Sequence, residues 1–182
     1  MTRGLERFVG RRVAIVAAGV GLAGVALVAL LAVGDQSDPL ATDTNRIVGQ
    51  PAPKIRATDS EGRPFDLDDY RGRWVLLNFF ATWCVPCIQE HPELVAFDEA
   101  GRKEGNAAVV SVAYNDTAEA VQEFFDTRGG DWAVIADEGD VSLDYAVVGL
   151  PESYLISPDG VVVEKFIGGV TRADIERRIA EQ

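Results

Sequence analysis

The chain predicts an α/β domain with a mixed central sheet flanked by helices, preceded by one transmembrane helix. Three observations carry that prediction. Two near-continuous apolar runs, residues 74–80 and 107–113, alternate with stretches of helical periodicity, as strands buried on both faces and their crossover helices do. Two later strands, 153–156 and 161–167, are joined by Ser157-Pro158-Asp159-Gly160. Proline at the second position and glycine at the fourth is type I turn chemistry. Finally, residues 13–33 are 21 consecutive uncharged residues, all apolar or glycine.

The apolar segment comes first. At about 1.5 Å per residue it spans roughly 30 Å, the thickness of a bilayer's hydrocarbon core. Arg3, Arg7, Arg11 and Arg12 precede it, opposed by Glu6 alone, and the next charges beyond it are Asp35 and Asp38. The positive-inside rule puts residues 1–12 in the cytoplasm, makes 13–33 an uncleaved signal anchor and exports everything from Gly34 onward. A cleaved signal peptide is the alternative. The run exceeds the usual apolar core of about 7–15 residues in such peptides and ends without a small-x-small site. Since no cysteine closes the segment, a lipid-modified cysteine anchor is excluded. Residues 34–48 are polar and turn-rich, with Pro39, and predict a linker. The 134 residues of 49–182 suffice for one compact domain and not two.

Within that domain, residues 51–65 predict a small β-rich entrance turning at Glu61-Gly62, and 67–70 a helical turn. After the buried strand 74–80 comes a helix from Val85 to about Gly101, kinked at Pro92. Asp116 is the expected cap of a second helix, with Glu119 as its capping-box partner and Ala120/Val121 and Phe124/Phe125 one turn apart. A short strand at 133–136 and a short helix at 141–146 precede the hairpin. Thr171, with Asp174, caps the closing helix, whose Ile175 and Ile179 face inward.

Four of the 17 basic and one of the 29 acidic residues precede Gly34, which leaves the exported part near −15. Such a charge excludes nucleic acid and anionic lipid surfaces as partners.

The only two cysteines lie in Ala81-Thr82-Trp83-Cys84-Val85-Pro86-Cys87, directly after the buried strand and at the start of a helix. A helix N-terminus stabilises a thiolate, the species that attacks disulfides, so this placement points to thiol–disulfide exchange. A zinc site needs two further ligands, and the chain offers no second cysteine pair and a single histidine, His91. An inert structural bridge closing so short a loop would stabilise little. In an oxidising compartment the pair is either an oxidant or a reductant with a dedicated electron supplier.

The chain resembles the membrane-anchored, thioredoxin-like proteins of the TlpA/ResA/CcmG (DsbE) type. Four matches carry the resemblance: Gly49-Gln50-Pro51-Ala52-Pro53 for the G-x-x-A-P entrance; Leu77-Asn78-Phe79-Phe80-Ala81-Thr82-Trp83-Cys84-Val85-Pro86-Cys87-Ile88-Gln89-Glu90 for the L-N-F-W-A-T-W-C-x-P-C-x-x-E core; Gly149-Leu150-Pro151-Glu152 with Ser153-Tyr154-Leu155-Ile156 for the G-x-P-E/T-x-x-L-I segment; and Asp159-Gly160 with Gly168 for the closing hairpin. Phe80 stands where the family usually has tryptophan. Asn78 stands where cytoplasmic thioredoxins carry a buried aspartate, which moves the role of proton acceptor to Glu90. The elements read between Ala107 and Ala136 fit the family's central insertion.

The resemblance and the residues together assign roles. Cys84, first at the helix tip, attacks, and Cys87, one turn inside, resolves the mixed disulfide. Pro86 fixes the first helical turn, where a missing N–H costs nothing. Glu90 is a proton acceptor for the buried thiol or, alternatively, a solvated helix carboxylate. Pro151 is the expected cis-proline facing the cysteines, with Leu150 offering backbone hydrogen bonds to an extended client. Glu152 meets a basic client, perturbs the thiols, or is a plain surface carboxylate. Trp83 is an apolar shield or a core residue, and His91 sits on the helix flank. No cofactor beyond the Cys84–Cys87 disulfide and no metal is expected.

The implied activity is an extracytoplasmic thiol–disulfide oxidoreductase, monomeric, whose client is the Cys-x-x-Cys-His of apocytochrome c and whose electrons come from an integral-membrane thiol carrier. The alternative is a general oxidant or isomerase of exported proteins. A copper-delivery module would need C-x-x-x-C and a distant histidine, and a peroxidase P-x-x-x-T-x-x-C; the chain has neither.

Overall fold

A computed structural model describes residues 46–137 and 140–182. The expected cytoplasmic segment, the anchor and all of the linker before Arg46 lie outside the described residues. Among the described residues, no helix is long and apolar enough to cross a membrane.

The elements run β1 (Arg56–Thr58), β2 (Pro64–Asp66), a 3-10 turn (Leu67–Tyr70), β3 (Trp74–Phe80), α1 (Val85–Glu104), β4 (Ala107–Tyr114), α2 (Ala118–Arg128), β5 (Val134–Asp137), α3 (Asp140–Asp144), β6 (Glu152–Ile156), β7 (Val162–Ile167) and α4 (Arg172–Ala180). β1 and β2 form a separate antiparallel hairpin. The five remaining strands make one sheet in the order β5-β4-β3-β6-β7, parallel from β5 to β3 and antiparallel from β3 to β7. The predicted mixed sheet is therefore present, with the thioredoxin-like connectivity.

The apolar runs are continuous because the sheet is covered on both faces. Along β3, Leu76 and Phe80 point into a core shared with α1, α2 and α4, while Val75, Leu77 and Phe79 point into a second core with the β1–β2 hairpin and Tyr145. Leu76, Leu77 and Phe79 are fully buried, each contributing roughly 1.5–3 kcal/mol. Gly101 lets α1 lie directly on β4: a Cβ there would meet the Ala107 carbonyl oxygen at 2.6 Å.

Several expectations are corrected by packing. β4 is hydrogen-bonded on both sides, to β3 and β5, so it belongs to the sheet's interior. The domain starts before Gly49, since Ile47 is buried in the second core and Gly49 N–H donates to Val162 O. α1 continues through Pro92 to Glu104 and ends on Gly105, whose φ of 72° suits a glycine cap. α2 is capped by Thr117, whose hydroxyl accepts from Ala120 N–H, and not by Asp116. The Asp116 carboxylate is taken by Thr82 instead. Thr171 caps α4 as expected.

Candidate active site

β3 ends at Phe80, and four residues later Cys84 forms the N-cap of α1 in an extended conformation. Cys84 and Cys87 are joined by a disulfide. Cys84 Sγ accepts from Cys87 N–H at 3.3 Å, so the first sulfur sits where the helix dipole and a backbone donor stabilise negative charge. It is also the more accessible of the two, at 6% against 2% exposure. Pro86 lies in the first turn, where no backbone donor is lost.

The sheet order explains what else converges here. β6 is antiparallel to β3, with Glu152 opposite Phe79, so the start of β6 lies beside the end of β3. The residues entering β6, Leu150 and Pro151, therefore emerge at the cysteine end of the sheet. Their peptide bond is cis, the isomer the resemblance implies. Leu150 packs against the cluster that contains both cysteines.

Asp116, just past β4, holds the approach loop: Thr82 N–H donates to Oδ2 at 2.6 Å and the Thr82 hydroxyl to Oδ1 at 3.1 Å. Sequence reasoning missed this role because Asp116 also had the spacing of a helix cap. Trp83 is not a core residue. It is 60% exposed, its indole N–H directed at Asn115 O 3.5 Å away. Val85, Tyr114, Leu143, Val148 and Ile167 complete the set of large exposed hydrophobics among the described residues, and all lie at or near this end. Tyr114, Leu143, Val147, Val148 and Leu150 line a pocket of about 310 Å³. The disulfide is thus framed by apolar surface on a strongly acidic protein.

Glu90 is not a solvated carboxylate. It is buried between α1 and the middle of the sheet, where Oε1 accepts from Asn78 Nδ2 at 2.9 Å and Oε2 from Val170 N–H at 3.0 Å. Burial pushes its pKa up to about 7, against the pull of the Val170 and Asn78 donors. A carboxyl half-ionised near neutrality, one turn after Cys87, suits proton exchange. Asn78 also donates to Ser153 Oγ, tying helix, β3 and β6 together.

Glu152 is not a surface carboxylate either. It is fully buried and paired with Lys165 Nζ at 2.9 Å. Its expected influence on the thiols is thereby offset by a neighbouring cation. Lys165 was missed: a lone lysine in a strand reads as solvent-facing, and only the hairpin register brings it diagonally across from Glu152. His91, expected on the helix flank, is 4% exposed and enclosed by Phe124, Phe125 and Trp132, its Nε2–H donating to Gly129 O at 2.9 Å. α2 folds over it, which the helix's own periodicity does not reveal.

Known proteins agree with this geometry. The Redoxin family matches residues 47–182. The thiol-disulfide oxidoreductase ResA of Bacillus thuringiensis (strain Al Hakam) is 35% identical over 130 residues, covering 71% of this chain and 75% of that protein. The thioredoxin-like protein YneN of Bacillus subtilis (strain 168) is 32% identical over 136 residues, covering 72% and 78%. Among solved structures, a thiol:disulfide interchange protein of the thioredoxin family from Chlorobium tepidum TLS superposes with a TM-score of 0.67 at 27% identity, covering 72% of this chain and 94% of that one. A disulfide at the tip of α1, on a thioredoxin-like sheet and in a sequence with these relatives, leads to one conclusion: the chain belongs to the Redoxin family and is a thiol-disulfide oxidoreductase of the ResA type.

Proposed function

We propose that the Cys84–Cys87 pair works outside the cytoplasmic membrane as a reductant, and that its client is the oxidised Cys-x-x-Cys-His segment of apocytochrome c. The observation that carries this reading is the charge around the pair. Cys84 stands between neutral Trp83 and Val85, the nearby cation Lys165 is bound to Glu152, and the ionisable group one turn on is the buried Glu90. A thiolate stabilised only by a helix tip and one N–H does not favour the reduced state strongly, so the dithiol gives up its electrons readily. The apolar frame around the disulfide suits an unfolded client strand, and residues 13–33, with arginines before and acids after, support an anchored, exported domain.

In the cycle the Cys84 thiolate attacks one client sulfur. The client's S–S bond breaks, and its other sulfur leaves as a thiolate and is protonated by solvent. Cys87 gives its proton to Glu90 and attacks Cys84 Sγ, closing the Cys84–Cys87 disulfide and releasing the second client thiolate, which is protonated in turn. Two electrons have moved from the pair to the client. A thiol carrier in the membrane reverses the exchange to reset the enzyme.

Equilibrating the full-length chain with graded dithiothreitol tests this. A potential close to about −270 mV, the thioredoxin end of the scale, is expected; one near −120 mV, the DsbA end, would make the protein an oxidant and remove the reading. A Cys87→Ser variant should accumulate the mixed disulfide with client through Cys84, and accumulation on Cys84→Ser would reverse the two sulfurs' roles.

A further inference from the structure

Next to the cis peptide lies an ion pair that the exchange chemistry does not use. Glu152 and Lys165 bury their side chains completely. Removing two charges from water costs several kcal/mol per ion, repaid only where geometry and further hydrogen bonds are good. Each of the two charged groups makes a further bond to the same place. Glu152 Oε1 accepts from Val148 N–H at 3.1 Å, and Lys165 Nζ donates to Ala146 O at 3.2 Å. Tyr154, beneath the lysine, donates its hydroxyl to Tyr145 O at 2.7 Å and lies 3.0 Å from Glu152 Oε2. Three buried side chains thus hold three backbone groups of a single short segment, the one that runs from the end of α3 to Leu150-Pro151.

The segment needs holding. Ala146 has φ of 51°, in the left-handed region that an alanine rarely adopts and that persists only where the surroundings over-determine it. With its N–H turned inward to Glu152, Val148 leaves its side chain 68% exposed beside Leu143 and the pocket. The same restraint fixes where the Leu150 peptide begins.

We propose that Glu152 and Lys165, with Tyr154, are positioning residues: they clamp segment 145–150 in the shape that presents the Leu150 backbone and the Val148 side chain to the client strand. This rests on the reading of Leu150 as a client-docking residue. The pair touches neither sulfur, so its contribution is to client binding and not to the exchange step.

The test uses the full-length chain and a disulfide-closed Cys-x-x-Cys-His peptide with apolar flanks, with enzyme kept reduced by dithiothreitol. In Glu152→Met/Lys165→Met both charges leave together, so neither remains buried without its partner. Loss of about one backbone hydrogen bond to the client is worth roughly tenfold in affinity, so KM for the peptide is expected to rise about tenfold while kcat stays within about twofold. An unchanged KM, or a fall in kcat with KM constant, overturns the proposal. Should the double variant fail to fold, Tyr154→Phe keeps the ion pair and loses the Tyr145 anchor. It is then expected to raise KM about threefold at constant kcat, and an unchanged KM overturns the proposal equally. If the wild-type chain itself does not reduce the peptide, the functional reading fails first, and that result is distinct from an insensitive variant.

Discussion

Asn78 Nδ2 lies 2.9 Å from Glu90 Oε1, across the boundary between β3 and α1, and its other contact is Ser153 Oγ. The amide occupies a position where a carboxylate would repel Glu90, and it donates to Glu90 instead. One carboxyl remains in the interior near Cys87, poised close to neutrality by burial.

That carboxyl makes stability depend on pH in a definite direction. The Glu90 pKa is raised on folding from 4.5 to about 7, so the folded state binds the proton more tightly than the unfolded one. Its contribution is fully present below about pH 4.5, is lost as pH rises to about 7, and is flat above. The full shift corresponds to about 3 kcal/mol. Denaturant midpoints of the oxidised protein at pH 4.5 and pH 8 should therefore show Glu90→Gln gaining on the wild type by that amount at the higher pH. Parallel curves would mean that Glu90 is not held as described.

His91 is depressed below its usual value, chiefly by burial, with the Arg128 charge acting in the same direction and the Gly129 hydrogen bond against it. The sign is opposite in effect to that of Glu90: stability from a neutral buried imidazole is present above about pH 6.5 and is lost as pH falls through the folded pKa. Because the chain has one histidine, its ring proton gives a single NMR titration curve. The midpoint should lie below that of the same resonance in the denatured protein.

Asp116 is expected to matter through Thr82. Asp116→Ala leaves the Thr82 N–H without its partner beside the active-site loop and should lower stability by about 1 kcal/mol. Asp116→Asn retains an acceptor for that N–H and should lose less than half as much. Equal losses in the two variants, by urea denaturation, would show that the charge and not the hydrogen bond is what matters.

Leu143 and Val148 are 77% and 68% exposed, so Leu143→Ser/Val148→Ser should leave the unfolding midpoint almost unchanged, within about 0.5 kcal/mol. If their surface receives the client, the same variant binds an unfolded Cys-x-x-Cys-His peptide several-fold more weakly. Retained peptide affinity, measured by isothermal titration to the Cys87→Ser background, would remove the docking role of this face.

Element types were legible because both of the sheet's faces are covered, which turns strands into unbroken apolar runs, and because turn and cap chemistry is local. The Ser157–Gly160 turn, Thr171 at α4 and the Cys-x-x-Cys at a strand–helix junction depend on residues within a few positions of one another. The polar interior was not legible. Glu152, His91 and Lys165 each carry the composition of a surface residue, and their partners lie 13, 38 and 19 residues away or on another element altogether.

From the order of residues alone came an α/β domain with a redox-active cysteine pair at a helix tip, since periodicity, turns and thiol placement are written at short range. Tertiary structure alone decided which carboxylates are buried, which of them is neutralised by a lysine, and that Asp116 serves the active-site loop in place of its own helix. Those outcomes depend on which surfaces meet and on the desolvation that follows. Neither quantity is a property of any single stretch of chain.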